Sequence, residues 1–223
     1  MKKRIAGLLV AGLLAGCGGG GSDKAVQGEE GAGYALHTGI TATMFWVGEG
    51  AGDENGYIGN EASAWDERWM AHFGGEDDPY DRRGWYPAGF VPKENPFYAA
   101  LPYNDLDEEG VQKAEAATLL PWYNPDLPKD LSQCKNRWIA VTAESGKTVY
   151  VQWEDVGPFG ESDSAYVFGN ALPASAVNDH AGIDLSPAAE AYLGLKGMDK
   201  VAWRFVEASD VPEGPWKEIV TNR

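Results

Sequence analysis

The segment HAGIDLSPAAEAYLGL, His180 to Leu195, sets a carboxylate between two apolar residues directly before a helix start. Ser186 is a natural N-cap, Pro187 suits the first helical position, and Ala188 to Leu193 propagates the helix, so the helix start does not need Asp184. Glu190 falls one position too late for a capping box. In an extended approach to the helix, Ile183 and Leu185 point to one face and Asp184 to the other. A carboxyl held against apolar walls loses hydration, its pKa rises toward neutrality, and it becomes suited to general acid work. The competing use of Asp184 is to bond backbone amides within the turn.

Other chemistries are poorly furnished. His37, His72 and His180 are scattered without zinc-ligand spacing, and Glu76-Asp77-Asp78 with Asp81 lacks a calcium-loop pattern and reads as a solvated acidic turn. No Ser/His/Asp order or nucleophile elbow is present, Cys134 has no activating partner in its vicinity of the chain, and phosphate-binding loops are absent. The expectation is a site without metal or cofactor.

The elements that position such a carboxylate read mainly as strands. YALHTGITATMFW has the Thr, Ile and aromatic content of a strand. RWIAVTAESGKTVYVQWEDVGPFG is a hairpin of two alternating runs, and parity puts Val149, Val151, Trp153 and Asp155 on one face; Gly157-Pro158 ends it. A last strand, KVAWRFVEA, alternates Val201, Trp203 and Phe205 against Ala202, Arg204 and Val206. Between residues 47 and 96 the chain is dense in Gly, Asp, Pro and Trp, a long loop-rich insertion with one helix in SAWDERWMAHFGG. Ser63 is expected to cap that helix and Gly74 to stop it, with Trp65, Trp69, His72 and Phe73 sharing a face. Short strands and many turns make a mainly β barrel the expected class.

The 223 residues suffice for one domain. The first residues run from Lys2, Lys3 and Arg4 through a short apolar stretch to small residues, an export signal rather than a membrane span. Leu14-Ala15-Gly16-Cys17 resembles a bacterial lipobox, which implies a signal peptide over 1–16, a lipid-modified Cys17, a Gly-rich tether over 17–33 and a domain over 34–223. The protein would then be held at a membrane of the bacterial cell envelope, facing the periplasm or the surface. Cys134 would be the one other cysteine, so no disulfide staples the fold. Removing the signal takes the formal charge from -16 to -19, which excludes nucleic acid as a partner because phosphate binding needs cations.

GKTVYVQWEDVGPFG followed by GIDLSPAAEAYLGL and KVAWRFVEA resembles the double-psi β-barrel shared by rare lipoprotein A, the first domain of expansins and barwin-like endoglucanases. TGITATMFW is similar to the first strand of that barrel, and NPFYAALPYND to the segment before its middle strands. The resemblance implies a six-stranded double-psi barrel with short helices, present as a monomer. It implies Asp184 as the essential acid and Asp155 as its partner; Asp105 of PYND is a third candidate carboxylate. It also implies a polysaccharide partner, most simply peptidoglycan, and a lytic transglycosylase activity. In that chemistry the muramyl 6-hydroxyl attacks internally, so one carboxyl can protonate the leaving oxygen and then accept the hydroxyl proton. The chain departs from rare lipoprotein A at Tyr98, where that family carries a histidine, and at Val156, where it carries an arginine.

The alternatives are a non-catalytic expansin-like glycan-binding or wall-loosening module, and a scaffold whose groove the insertion fills. Tyr98, Tyr103, Trp153 and Trp85 are the rings near the groove in sequence terms, where sugar faces would stack. The parity that Trp153 shares with Val149 and Val151 argues for the core instead.

Overall fold

The computed structural model describes residues 33–223 other than residue 56. The expected signal peptide, Cys17 and residues 17–32 of the tether lie outside the described residues. Along the chain come β1 (His37–Met44), α1 (Trp69–Phe73), β2 (Arg82–Arg83), β3 (Tyr86–Pro87), β4 (Tyr98–Leu101) and α2 (Ala116–Leu119). After them come β5 (Trp138–Ala143), β6 (Thr148–Val156), α3 (Ser164–Val167), β7 (Ala181–Leu185), α4 (Pro187–Leu193) and β8 (Asp199–Val206). Six strands close a barrel in the order β1-β7-β4-β6-β5-β8, while β2 and β3 form a separate two-stranded ribbon in the insertion. The chain is therefore mainly β, with a closed six-strand barrel and a few short helices.

Two neighbouring pairs are parallel, β1 with β7 and β4 with β6; the other four contacts around the barrel are antiparallel. Each parallel pair contains one skipped residue. Register passes from Thr41↔Ala181 to Ala42↔Ile183, leaving Gly182 without a partner, and from Ala99↔Trp153 to Ala100↔Asp155, leaving Glu154 out. Such bulges break the period of two that side-chain parity relies on. Gly182 has no substitute, since a Cβ there would stand 2.5 Å from the Tyr166 hydroxyl and 2.7 Å from Pro173.

The barrel interior follows the alternation of β5, β7 and β8: Ile139, Val141, Ile183, Leu185, Val201, Trp203 and Phe205 are all buried there, with Val149, Val151 and Trp153 from β6. Asp155 departs from its expected face. The bulge at Glu154 inserts a half-period, so Asp155 pairs with Ala100 on the outside of the barrel rather than following Trp153 inward.

A second, smaller core lies on that outer face, where Phe45, Val47, Trp69 and Phe73 cover Tyr98 and Ala100 of β4. The insertion is thus packed onto the barrel and not suspended from it. Its helix is shorter than expected. Ser63 does not cap it but closes a tight loop with Asp66 through mutual backbone hydrogen bonds, and Arg68 precedes the first turn with no side-chain cap. Gly74 does stop it, in a left-handed conformation with its N–H on Met70 O. Trp69 and Phe73 are buried as expected, whereas His72 is partly exposed and bonds Asp66 at 2.7 Å. Asp77 is no solvated turn residue: fully buried, it accepts from Tyr98 Oη at 2.9 Å and pairs with Arg82 at 2.5 Å, the one cation it needs at that depth. Trp69→Ala should lower unfolding free energy by about 3–5 kcal/mol in urea denaturation, since it empties the contact between insertion and barrel.

Candidate active site

Four strands present a single row of residues across the outer face. Thr43 of β1 pairs with Asp184 of β7, Asp184 with Ala100 of β4, and Ala100 with Asp155 of β6. The two carboxylates therefore stand at the same height with one strand between them, a Cα separation of about 10 Å from ordinary strand spacing. Small residues keep the space between them open. A Cβ added at Gly157 would lie 3.2 Å from Asp184 Oδ2 and 3.7 Å from the Ala100 Cβ, so the Asp184 carboxylate leans across Ala100 toward the β6 end.

Local sequence explains the position of Asp184. Ser186 caps α4, its hydroxyl accepting from Ala189 N at 3.2 Å, and Pro187 follows at the first helical position, so the helix takes nothing from Asp184. Ile183 and Leu185 are buried in the barrel and Asp184 stays partly exposed on the outer face. The Thr43 hydroxyl donates to Asp184 Oδ1 and fixes the carboxyl plane. Asp155 is more enclosed, with Oδ1 accepting from Ala64 N and Val156 N, each at 2.8 Å. Ala64 belongs to the insertion, which thus supplies one wall of the site. Glu49, also from the insertion, adds negative charge near Asp184 and is itself steadied by Asn60 Nδ2 at 2.8 Å.

Burial dominates the protonation of both groups. Desolvation pushes Asp184 up to about 7, with the Thr43 hydrogen bond opposing and the charges of Asp155 and Glu49 reinforcing. Desolvation also raises Asp155 to about 7, against the pull of its two backbone amides. Like charges so placed resist simultaneous ionisation, so the pair holds a proton near neutrality. Chemically, the row offers one reachable, protonated carboxyl beside a second that two amides hold rigidly.

The remaining expected residues lie elsewhere. Asp105 is fully buried and works as a staple, Oδ1 accepting from Ser132 Oγ and Oδ2 from Gln133 N, each at 2.6 Å. Trp153 is in the barrel core, and Tyr103 is buried with its ring edge-on to Phe168 at 4.9 Å. Tyr98 lies beneath the insertion between Phe45 and Trp69, its hydroxyl also accepting from Val47 N. None of these three rings has a face for a sugar. Trp85 is half-buried against Phe97 and Tyr192, joined to their cluster rather than to the carboxylate row. Thr43 and Glu49 escaped sequence reasoning, since nothing in the pattern of TGITATMFWVGEG singles out either one. Among the described residues no group of three or more His, Cys, Asp or Glu is arranged to hold a metal ion.

Fold and site together define a closed six-strand barrel with a carboxylate pair on its outer face. No protein-family model matches the chain, and no curated protein matches it. Among solved structures it is similar to the Streptomyces papain inhibitor (SPI), at 20% sequence identity over 78% of this chain and 96% of that one, with a TM-score of 0.32. A likeness that loose carries no argument about the site.

The pH dependence of stability follows from the raised carboxyls. Each is bound to its proton more tightly in the fold than in the unfolded chain, so its contribution is present at low pH and is lost as pH climbs from the ordinary carboxylate range through about 7. Asp184→Asn should therefore raise the melting temperature by about 2–4 °C at pH 8 and leave it unchanged at pH 4, as read by thermal melts at the two pH values.

Proposed function

We propose that the chain binds glycan strands of the cell envelope across the Thr43-Asp184-Ala100-Asp155 row and cleaves them as a lytic transglycosylase-like enzyme. The observation that carries this reading is the placement of Asp184, partly exposed, desolvated to a pKa of about 7 and oriented by Thr43, one strand away from Asp155. The two parallel strand pairs, each with one skipped residue, support the finer reading of the barrel as double-psi.

In the proposed reaction, protonated Asp184 donates its proton to the glycosidic oxygen as the bond from C1 breaks. The muramyl 6-hydroxyl attacks C1, a new C1–O6 bond closes the anhydro ring, and the hydroxyl proton passes to the Asp184 carboxylate. Protons balance and no water is consumed. Asp155, fixed by the Ala64 and Val156 amides, holds negative charge beside the cationic transition state. A second reading, a non-catalytic glycan-binding module, is favoured by one feature: the insertion already occupies an Asp155 oxygen.

Digestion of purified murein separates the two. Anhydromuropeptides should appear with the wild-type chain, decline as pH rises above about 7, and fall by about 10²-fold or more in Asp184→Asn. Glycan binding without product at any pH would leave the binding module standing. Gly157→Ala should also lose product, because its Cβ would crowd the Asp184 carboxylate.

The export and anchoring of the chain through Cys17 is part of the same proposal. Cys17→Ser should move the protein from the membrane to the soluble fraction of the envelope; membrane retention of that variant would count against lipidation.

A further inference from the structure

Two aromatic side chains border the carboxylate row from opposite ends. Phe159 sits in the turn that follows β6, two residues past Gly157, where an added Cβ would lie 3.2 Å from Asp184 Oδ2. That turn is tied at both ends to the segment leaving β4, Gly157 N donating to Leu101 O at 3.1 Å and Asn104 N to Glu161 O at 2.9 Å. Pro158 is buried within it, whereas Phe159 is 40% exposed and holds a φ of 51°. A left-handed backbone is costly for a residue with a bulky side chain, and an exposed phenyl ring recovers none of that cost from the core. Strain of this kind persists only where the surrounding structure imposes it, and it collects at ligand-binding positions.

Trp46 lies at the other end. It comes three residues after Thr43 and opens a tight turn in which Glu49 N donates to Trp46 O at 3.0 Å; the charge of Glu49 acts on Asp184, so this turn stands beside the row. Its neighbours Phe45 and Val47 are buried in the outer core, but Trp46 is partly exposed, and its indole N–H has no acceptor among the described residues. Neither Trp46 nor Phe159 belongs to either apolar core, and neither has a ring contact among the described residues.

Strand directions set the relation between the two rings. β1 is parallel to β7, β7 antiparallel to β4, and β4 parallel to β6, so β1 and β6 run in opposite senses. Trp46, past the end of β1, and Phe159, past the end of β6, therefore leave the row on opposite sides, and a path from one to the other crosses it. The row itself covers three strand spacings, about 14 Å, room for more than one sugar ring.

We propose that Trp46 and Phe159 are the sugar-stacking platforms of this site, each taking the apolar face of a pyranose ring and together laying a glycan strand obliquely over Asp184. The inference rests on the glycan reading above. Stacking reads the face of a ring and not its charge. The substrate class is therefore a glycan of equatorially substituted rings, whose axial C–H bonds form flat apolar faces, whether the strand is anionic or neutral.

The test is binding of the full chain at pH 7 to peptide-free murein strands and to a neutral chitin hexamer, with a thermal melt of every variant. Phe159→Gly should weaken both affinities by about tenfold or more while raising the melting temperature by about 2–4 °C, because glycine adopts that φ without strain. Phe159→Trp should keep binding, and Phe159→Leu, apolar but not flat, should lose it. Trp46→Ala should weaken both affinities as Phe159→Gly does; should it fail to fold, Trp46→Leu takes its place. Affinity for chitin should not change with ionic strength. Loss of binding with gain of stability at residue 159 separates a platform from a structural side chain, whose removal lowers both. A folded Phe159→Gly or Trp46 variant that binds as tightly as wild type, a Phe159→Gly that melts below wild type, or wild-type binding to murein alone would overturn the platforms and leave the glycan reading intact. Wild-type binding to neither probe would overturn both.

Discussion

Strand β4 holds the carboxylate pair in place through one residue. Ala100 is paired in register with Asp184 on one side and Asp155 on the other, and this double pairing brings together carboxylates 29 positions apart in the chain. The arrangement depends in turn on an extra residue in β6. Without Glu154 in the register, Asp155 would continue the inward series of Val149, Val151 and Trp153 and its carboxylate would enter an apolar core. Glu154 is itself buried and answered by Lys135, so the bulge that turns Asp155 outward carries its own ion pair. Breaking such a pair leaves an uncompensated charge in the interior, which makes Lys135 as much a part of the site as residues nearer to it.

The insertion completes what the barrel begins. Barrel strands alone would leave the outer face of β4 in water, where carboxyls keep their ordinary acidity. Packing Phe45, Val47, Trp69 and Phe73 over Tyr98 and Ala100 dries the neighbourhood, and Ala64 closes over Asp155. Desolvation is the leading cause of the raised pKa at both aspartates, so the protonation of the row is a property of the cover as much as of the strands. Tyr98 illustrates the division of labour. It fastens the cover, bridging Asp77 and the Val47 amide under two aromatic rings.

Much of the barrel was legible in the chain because its strands alternate strictly. The hairpin of β5 and β6, the strand β8 and the Ser186-capped helix α4 follow from local pattern and capping chemistry, and the outward position of Asp184 follows from its two apolar neighbours. The insertion was not legible. Its helix has no side-chain cap, Ser63 serves a tight loop instead, and burial of Asp77 depends on Arg82 and Tyr98 arriving from other segments. The stacking platform expected of Tyr98, Tyr103 and Trp153 dissolves for a related reason, since an aromatic ring in a strand gives the same signal whether it meets a sugar or the core.

What the sequence by itself determined is therefore local: strand faces, one capped helix, an acidic net charge, and Asp184 free of structural duty in its own turn. Tertiary structure alone decided which carboxylate stands beside it. Asp105 and Asp155 are equally acidic in sequence, but one is consumed by Ser132 and the Gln133 amide while the other is rotated outward by a bulge that alternation does not announce. Register between distant strands is set by the summed packing of the whole barrel, and neither composition nor periodicity in a single segment contains it.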